Sequence, residues 1–216
     1  MISQKELDYL LDIGLKTTNY AAKKAKEFLD NPKEISSNGK DIKTLADIKV
    51  NEIIIENLST TKYQIISEES INKKSEKIRW IVDPIDGTMN FSRNFPYSSI
   101  SISLWVEDEP FISIVKNIFS GDCFVFSKGK LSTLNGNIIK TSDKSSVEKS
   151  IIATGFPSNS NITEKNLKRL INNVQKFKKV RAIGSASLML AYVASGIFDA
   201  YFEDEIYIWD VAAGLG

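Results

Sequence analysis

The sequence predicts one layered domain of α and β elements over residues 1–216. Three observations predict it. Segments with helical spacing alternate with short apolar strands along the chain. The composition, 42% hydrophobic and 25% charged, is that of a globular chain long enough for one sizeable core. No internal repeat, low-complexity tract or clean linker divides it.

The elements follow in order. Ser3-x-x-Glu6 reads as a capping box before a long amphipathic helix, with Leu7, Leu10, Leu11, Gly14, Thr18, Ala21, Ala25 and Phe28 at helical spacing. Asn31-Pro32 ends it, and the polar residues 31–43 read as an exposed, mobile loop. A second helix runs from about Thr44 to Leu58, burying Leu45, Ile48, Ile54 and Ile55. The strand Tyr63–Ser67 leads into Glu68-Glu69-Ser70, and a second strand ends at Asp83. Ile100, Ile102, Leu104 and Val106 alternate as in a half-buried strand, with Phe111–Phe119 and Cys123–Phe126 as partners. Ile151–Thr154 is a further strand, and Asn161-x-x-Glu164 caps a helix through about Phe177. Val180–Ala182 is a strand entering Gly184, Ser185–Ser195 a small-residue helix, and Phe198–Glu203 a strand. Trp209-Asp210 opens a last helix, only about a turn and a half of which is present.

Composition removes several function classes. Lys+Arg 28 against Asp+Glu 27 leaves a formal charge of +1, unlike the basic footprint of a nucleic-acid binder. The single cysteine, Cys123, excludes an internal disulfide framework and sits in a strand pattern that suits packing. The absence of histidine removes Ser-His-Asp and Cys-His chemistry and leaves carboxylates, Lys, Tyr and metals for acid–base work. No apolar run reaches the ~20 residues of a membrane span, and the start of the chain has no signal-peptide core, so a cytoplasmic protein is expected.

Asp83-Pro84-Ile85-Asp86-Gly87-Thr88 is the most informative stretch. It places two carboxylates three positions apart at the end of an apolar strand, with Pro84 fixing φ between them and Gly87 freeing the backbone after them. Two acids aimed at one point repel unless a cation or a shared proton lies between them. Mg²⁺ suits the place, because it prefers oxygen ligands and leaves room for phosphate. Glu68 and Asp210 follow other strands, and neighbouring strand ends converge, so these acids can share a pocket; Asp47 in the second helix is a further candidate. Taken alone, Asp83 and Asp86 also describe a turn with helix-capping acids, Asp47 a solvated helix face, Thr88 an N-cap and Glu203 a surface strand residue.

The segments Thr44-x-Ala46-Asp47, Ile66-Ser67-Glu68-Glu69-Ser70, Trp80-Ile81-Val82-Asp83-Pro84-Ile85-Asp86-Gly87-Thr88, Gly184-Ser185-Ala186, Gly196-Ile197-Phe198-Asp199-Ala200 and Trp209-Asp210 occur in one order over nearly the whole chain. In this the chain resembles the inositol monophosphatase family of Mg²⁺-dependent, lithium-sensitive phosphomonoesterases. The resemblance implies the α-β-α-β-α sandwich of the inositol monophosphatase/fructose bisphosphatase-like sugar phosphatases, a homodimer, and two or three Mg²⁺ per site. It implies that Glu68, Asp83 and the Ile85 carbonyl hold one metal, and that Asp83, Asp86 and Asp210 hold a second, with a weaker third near Glu68. Thr88, with Glu68 and Asp47 behind it, would orient the attacking water. The N–H groups of Gly87 and Thr88 would cradle phosphate, and Ser185, Ala186, Glu203 and Asp86 would face the alcohol part of a polyol or sugar phosphate.

Three departures qualify these expectations, the first being the Gly-Ala pair usual after the middle strands, replaced here around Leu131-Ser132-Thr133. The lysine common in the loop before Asp41-x-x-Thr44 is replaced by Ser36-Ser37, with Lys40 the nearest lysine. The chain also ends soon after Asp210, which reads as a missing C-terminal portion, a frayed last helix, weak second-metal affinity and low activity. Within the family's chemistry, fructose-1,6-bisphosphate, 3′-phosphoadenosine nucleotides and histidinol phosphate are alternative substrates. A non-catalytic regulatory partner is the alternative of a different class.

Overall fold

The computed structural model describes residues 2–38, 41–69, 76–156 and 163–216. Its first element is helix α1 (Gln4–Lys26), whose Ser3 side chain accepts the N–H of Glu6 as the capping pattern predicts. Residues 34–44 correct the loop expectation. They hold an antiparallel, bulged pair of β1 (Glu34–Asn38) and β2 (Asp41–Thr44), a hairpin; residues 39–40, and with them Lys40, lie outside the described residues.

Helix α2 (Leu45–Leu58) starts directly from β2. Its fully buried side chains are Ala46, Val50, Ile54 and Leu58, whereas Leu45, Ile48 and Ile55 are only half-buried. The apolar stripe is therefore rotated from the one expected. The i, i+4 row of Ala46, Val50, Ile54 and Leu58 packs closer to the sheet than the bulkier residues beside it.

The main sheet has seven strands in the order β3-β4-β5-β6-β7-β8-β9. Its main members are β3 (Gln64–Ser67), β4 (Ile78–Asp86), β5 (Ser99–Val106), β6 (Glu109–Asn117) and β7 (Cys123–Ser127), and two short strands, β8 (Thr133–Leu134) and β9 (Asn137–Ile138), close its edge. The strands β3 and β4 run parallel, and the others pair antiparallel. Along β5, Ile100, Ile102 and Leu104 join the core under α1 and α2, and the alternate residues Ser99, Ser101 and Ser103 are just as buried on the opposite side. Both faces of the sheet are thus covered. On the helix side Gly14 of α1 comes so close that a Cβ there would lie 2.9 Å from Ile114 Cδ1.

The second half of the chain builds a smaller parallel sheet from β10 (Ile151–Thr154), β11 (Lys179–Arg181) and β12 (Ala200–Phe202), in the order β11-β10-β12. Helix α4 (Glu164–Val174) connects β10 to β11, and α5 (Ala186–Ala194) connects β11 to β12. The two crossovers step in opposite directions across β10. With the right-handed sense that parallel connections adopt, they put α4 and α5 on opposite faces of the small sheet. Helix α5 also packs on β5 and β6, on the serine side of the main sheet, so it lies between the two sheets. The succession α1/α2, main sheet, α5, small sheet, α4 is the predicted α-β-α-β-α sandwich. Thr163 caps α4 by accepting the N–H of Asn166, and the helix stops at Val174, short of Phe177; Asn161, the expected cap, lies outside the described residues.

Candidate active site and metal centre

Glu68, Asp83 and Asp86 stand at the C-terminal ends of the parallel pair β3 and β4. In the β3–β4 ladder Ser67 pairs with Val82, and the Glu68 N–H continues it to the Val82 carbonyl at 3.3 Å. Glu68 therefore emerges beside Asp83. The ladder between β4 and β5 is regular to Asp83 and resumes only at Asp86, opposite Ser99. This irregularity is the physical effect of the Asp-Pro turn: Pro84 has no N–H to give, and the Ile85 N–H is taken by Asp83 Oδ1 at 3.1 Å. Gly87 then turns the chain into the short helix α3 (Thr88–Ser92) at φ +83°. A Cβ at Gly87 would lie 2.8 Å from the Gly184 carbonyl, so only glycine fits.

These strand ends face those of β10 and β12 across a cleft of about 360 Å³. Its walls carry Glu68, Asp83, Ile85, Asp86, Gly87 and Thr88 on one side and Ser185, Ala186, Glu203 and Asp210 on the other. Every predicted site residue except Asp47 lines this one cleft. Asp47 is 2% exposed and stands behind Thr88, whose hydroxyl lies 2.9 Å from Asp47 Oδ1 and 3.0 Å from the Ile85 carbonyl. The other oxygen of Asp47 accepts the Thr44 N–H at 2.7 Å and the Thr44 hydroxyl at 2.5 Å. One carboxylate thus caps α2 and holds Thr88, which rules out the solvated-face reading.

Asp86 receives the densest set of bonds. Its Oδ2 accepts the hydroxyls of Ser185 (2.6 Å), Ser187 (2.5 Å) and Ser99 (3.4 Å) and the N–H of Ser187 (2.8 Å), and its Oδ1 accepts the Ala186 N–H at 3.2 Å. Apart from Ser99 of β5, these donors are the N-cap Ser185 and the first turn of α5, where backbone N–H groups point outward and favour a negative charge. Asn90 ties the same loop to α3, its Nδ2 lying 2.8 Å from the Tyr97 carbonyl and 2.6 Å from the Ile183 carbonyl.

Asp210 is the third residue of α6 (Ile208–Val211), and its Oδ2 accepts the Tyr207 N–H at 2.9 Å. The frayed helix expected here is not what the structure shows. Ala212 is fully buried and Ala213 nearly so. Trp105 Nε1 donates to the Ala212 carbonyl at 3.2 Å, and the Tyr207 and Trp209 rings stack at 4.8 Å. Glu203 accepts the Tyr201 hydroxyl at 2.8 Å.

The electrostatics follow from burial and crowding. Burial, then the charges of Glu68, Asp86, Asp210 and Asp47, hold the Asp83 carboxyl well above the usual carboxylate range. Asp210 is pushed up to about 8, first by burial and then by Asp86, with the Tyr207 N–H opposing. Burial also raises Asp86, Asp47 and Glu203, while the serine, threonine and tyrosine donors pull each back. Among the described residues no lysine or arginine lines the cleft. Carboxylates that repel one another without a protein cation, with a carbonyl and hydroxyls beside them, form the donor set of a hard divalent ion. Among the described residues, however, no three acidic side chains are gathered closely enough to enclose an ion. Asp86 and Asp210 are instead turned onto protein N–H and O–H donors. The fit to a metal therefore rests on the chemistry and mutual repulsion of the donors.

Sequence reasoning missed Ser99, Ser187 and Tyr201. Ser187 had a signal: in Gly184-Ser185-Ala186-Ser187 both serines sit where a helix begins and can donate to an acid. Ser99 and Tyr201 had none, because only the packing of β5 and β12 against the cleft brings them to Asp86 and Glu203. Ser70, the last residue of the Glu68-Glu69-Ser70 segment, lies outside the described residues.

Comparison with known proteins places the chain. Residues 6–216 match the sequence model of the Inositol monophosphatase family. An inositol-1-monophosphatase of Synechocystis sp. (strain ATCC 27184 / PCC 6803 / Kazusa) is 31% identical over all of this chain and 77% of its own length. A Nus factor SuhB of Xylella fastidiosa (strain Temecula1 / ATCC 700964) is 36% identical over 71% of this chain, and the match spans 56% of that relative's length. The solved inositol monophosphatase of Anabaena (Nostoc) sp. PCC 7120 superposes with a TM-score of 0.85 at 29% identity, covering 96% of this chain and 79% of the other.

Proposed function

The chain belongs to the inositol monophosphatase family, and from that premise we propose that it is a Mg²⁺-dependent phosphomonoesterase acting on an inositol monophosphate or a related polyol or sugar phosphate. One observation carries the reading. Glu68 after β3, Asp86 at the end of β4 and Asp210 at the start of α6, distant in sequence, line a single cleft with Asp83 and raise its proton affinity.

Glu68, Asp83, Asp86, Asp210 and the Ile85 carbonyl are the groups that would hold Mg²⁺. Bound there, the ion supplies a water of lowered pKa and charge stabilisation for the phosphoryl oxygens. The protein's part is orientation. The Thr88 hydroxyl gives its proton toward Asp47 or the Ile85 carbonyl, so its lone pairs face the cleft and accept a water proton. Thr44 fixes Asp47 and thereby the direction of that bond. Gly87 lines the cleft and turns the chain at φ +83° into α3, so the N–H groups of Gly87 and Thr88 would take the phosphate oxygens. Glu203, steadied by Tyr201, accepts a hydroxyl of the alcohol part, with Ser185 and Ala186 beside it. Homodimerisation follows from the family resemblance and is measured by light scattering.

Phosphate release over a panel of phosphomonoesters, with Mg²⁺ and with Mg²⁺ plus Li⁺, tests the reading. Inositol and sugar monophosphates, fructose-1,6-bisphosphate, a 3′-phosphoadenosine nucleotide and histidinol phosphate form the panel. Release that needs Mg²⁺ and falls with Li⁺ supports the proposal; no release from any member sinks it. Relatives named as Nus factors supply a second reading, a binding role without catalysis. Asp86→Asn separates the two, since it removes phosphate release but leaves a binding role intact.

A further inference from the structure

We propose that Lys43 is a positioning residue of this cleft: its ion pair with Glu69 holds the β1–β2 hairpin in place and so fixes the Thr44–Asp47–Thr88 hydrogen-bond chain. The inference rests on the phosphatase reading above.

The hairpin needs such an anchor. Among the described residues its two strands pair only with each other, so no ladder to a larger sheet secures it; besides this ion pair it is held by the packing of β2 on α3 and by the Leu45 N–H to Lys33 carbonyl bond at 2.8 Å. Yet it feeds the site directly. Ile42 lines the cleft. Thr44 is both the last residue of β2 and the N-cap of α2. A shift of β2 displaces the Thr44 N–H and hydroxyl from Asp47 and, through Asp47 Oδ1, moves the Thr88 hydroxyl.

Lys43 is the residue between Ile42 and Thr44, and its Nζ meets Glu69 Oε2. The Glu69 side chain is only 9% exposed. It is the only ion-pair member among the described residues below a tenth exposed; in the other pairs both side chains are about a third exposed or more. The Lys43 side chain is 37% exposed, so the pair is set into the protein on the Glu69 side alone; there water and salt screen it less than a surface pair, and losing Lys43 strands the Glu69 carboxylate. The far end of the anchor is itself fixed. The Glu69 N–H donates to Ser67 Oγ at 3.3 Å, and Ser67 Oγ donates to Asn51 Oδ1 of α2 at 2.6 Å. The pair therefore ties β2 to the end of β3, one residue from Glu68, and both ends of the tie bear on α2. Lys43 itself lies outside the cleft lining, so it acts through Thr44 rather than on substrate.

The experiment compares Lys43→Gln, Glu69→Gln, Lys43→Arg and the charge swap Lys43→Glu/Glu69→Lys. Circular dichroism confirms the fold of each. Hydrogen exchange of the amides of residues 42–47 reads the anchor directly, and kcat and KM with Mg²⁺ read its effect. The expected result is faster exchange and a kcat loss of about tenfold in each Gln variant, the range of residues that orient ligands, with KM little changed. Lys43→Arg and the swap restore both readouts. Unchanged exchange in the Gln variants overturns the proposal, as does a kcat loss that neither Lys43→Arg nor the swap recovers. If the wild-type chain releases no phosphate, the phosphatase reading fails, and the exchange measurement alone decides the anchor.

Discussion

Replacing Ser187 by Ala tests whether the start of α5 sets the metal affinity of Asp86. The mutation removes the hydroxyl 2.5 Å from Asp86 Oδ2 and 2.7 Å from Ser99 Oγ. Asp86 keeps the Ser185 hydroxyl and the two backbone N–H groups of Ala186 and Ser187. A buried hydrogen bond to a charged group contributes about 1.5–3 kcal/mol. In a domain of this size that corresponds to a drop of roughly 3–12 °C in Tm. A group that orients a metal ligand changes affinity by about 10–100-fold, so the Mg²⁺ constant from calorimetry should weaken by that factor. The loss should be greater at pH 6 than at pH 8. Ser187 is one of the donors holding the Asp86 carboxyl down; without it the carboxyl binds its proton more tightly, and metal must displace that proton. A Ser187→Ala protein with lower Tm but wild-type Mg²⁺ affinity at both pH values would refute the reasoning and leave Ser187 as packing alone.

Three further predictions follow from the same geometry. Asp83→Asn removes the carboxylate on which burial and four neighbouring charges act; it should raise Tm in EDTA, abolish the Tm gain from Mg²⁺ and lower phosphate release by about 100-fold or more. Asp210 has its folded pKa raised from the ordinary 3.8 to about 8, so the stability it contributes is complete below about pH 4 and is lost as pH rises through about 8. Differential scanning fluorimetry in EDTA should therefore show Tm falling over that window, and the Mg²⁺-induced gain should be larger at pH 9 than at pH 6. Gly87→Ala forces a side chain into φ +83° and 2.8 Å from the Gly184 carbonyl. Urea unfolding should show a loss of about 2 kcal/mol or more, since the left-handed region alone costs a non-glycine residue roughly 1–2 kcal/mol.

Much of the site was legible because its chemistry is concentrated in short segments. Asp83, Asp86, Gly87 and Thr88 are contiguous with the strand that aims them, so their spacing announces a turn that gathers acids. Glu68 was legible as the residue leaving the neighbouring strand. Asp47 was ambiguous because a capping acid and a buried partner of Thr88 have the same local pattern; only the position of α2 behind α3 makes it both. The hairpin at 34–44 read as a loop because its composition is polar and its strands bury little, so no apolar alternation marks them. The docking of α6 was invisible for another reason. The bond from Trp105 to Ala212 joins residues 107 positions apart, and no local pattern encodes a contact of that range.

By itself, the sequence determined the α and β alternation, the exclusion of histidine and disulfide chemistry, and the identity of the acids at the strand ends, because those properties reside in residue type and in spacing along one element. The tertiary structure alone decided that the ends of β4 and β12 face each other across one cleft, that the first turn of α5 surrounds Asp86 with donors, and that Lys43 reaches Glu69. Those arrangements depend on how separate elements pack, and packing is a sum of many weak contacts over the whole core, which no short window of residues contains.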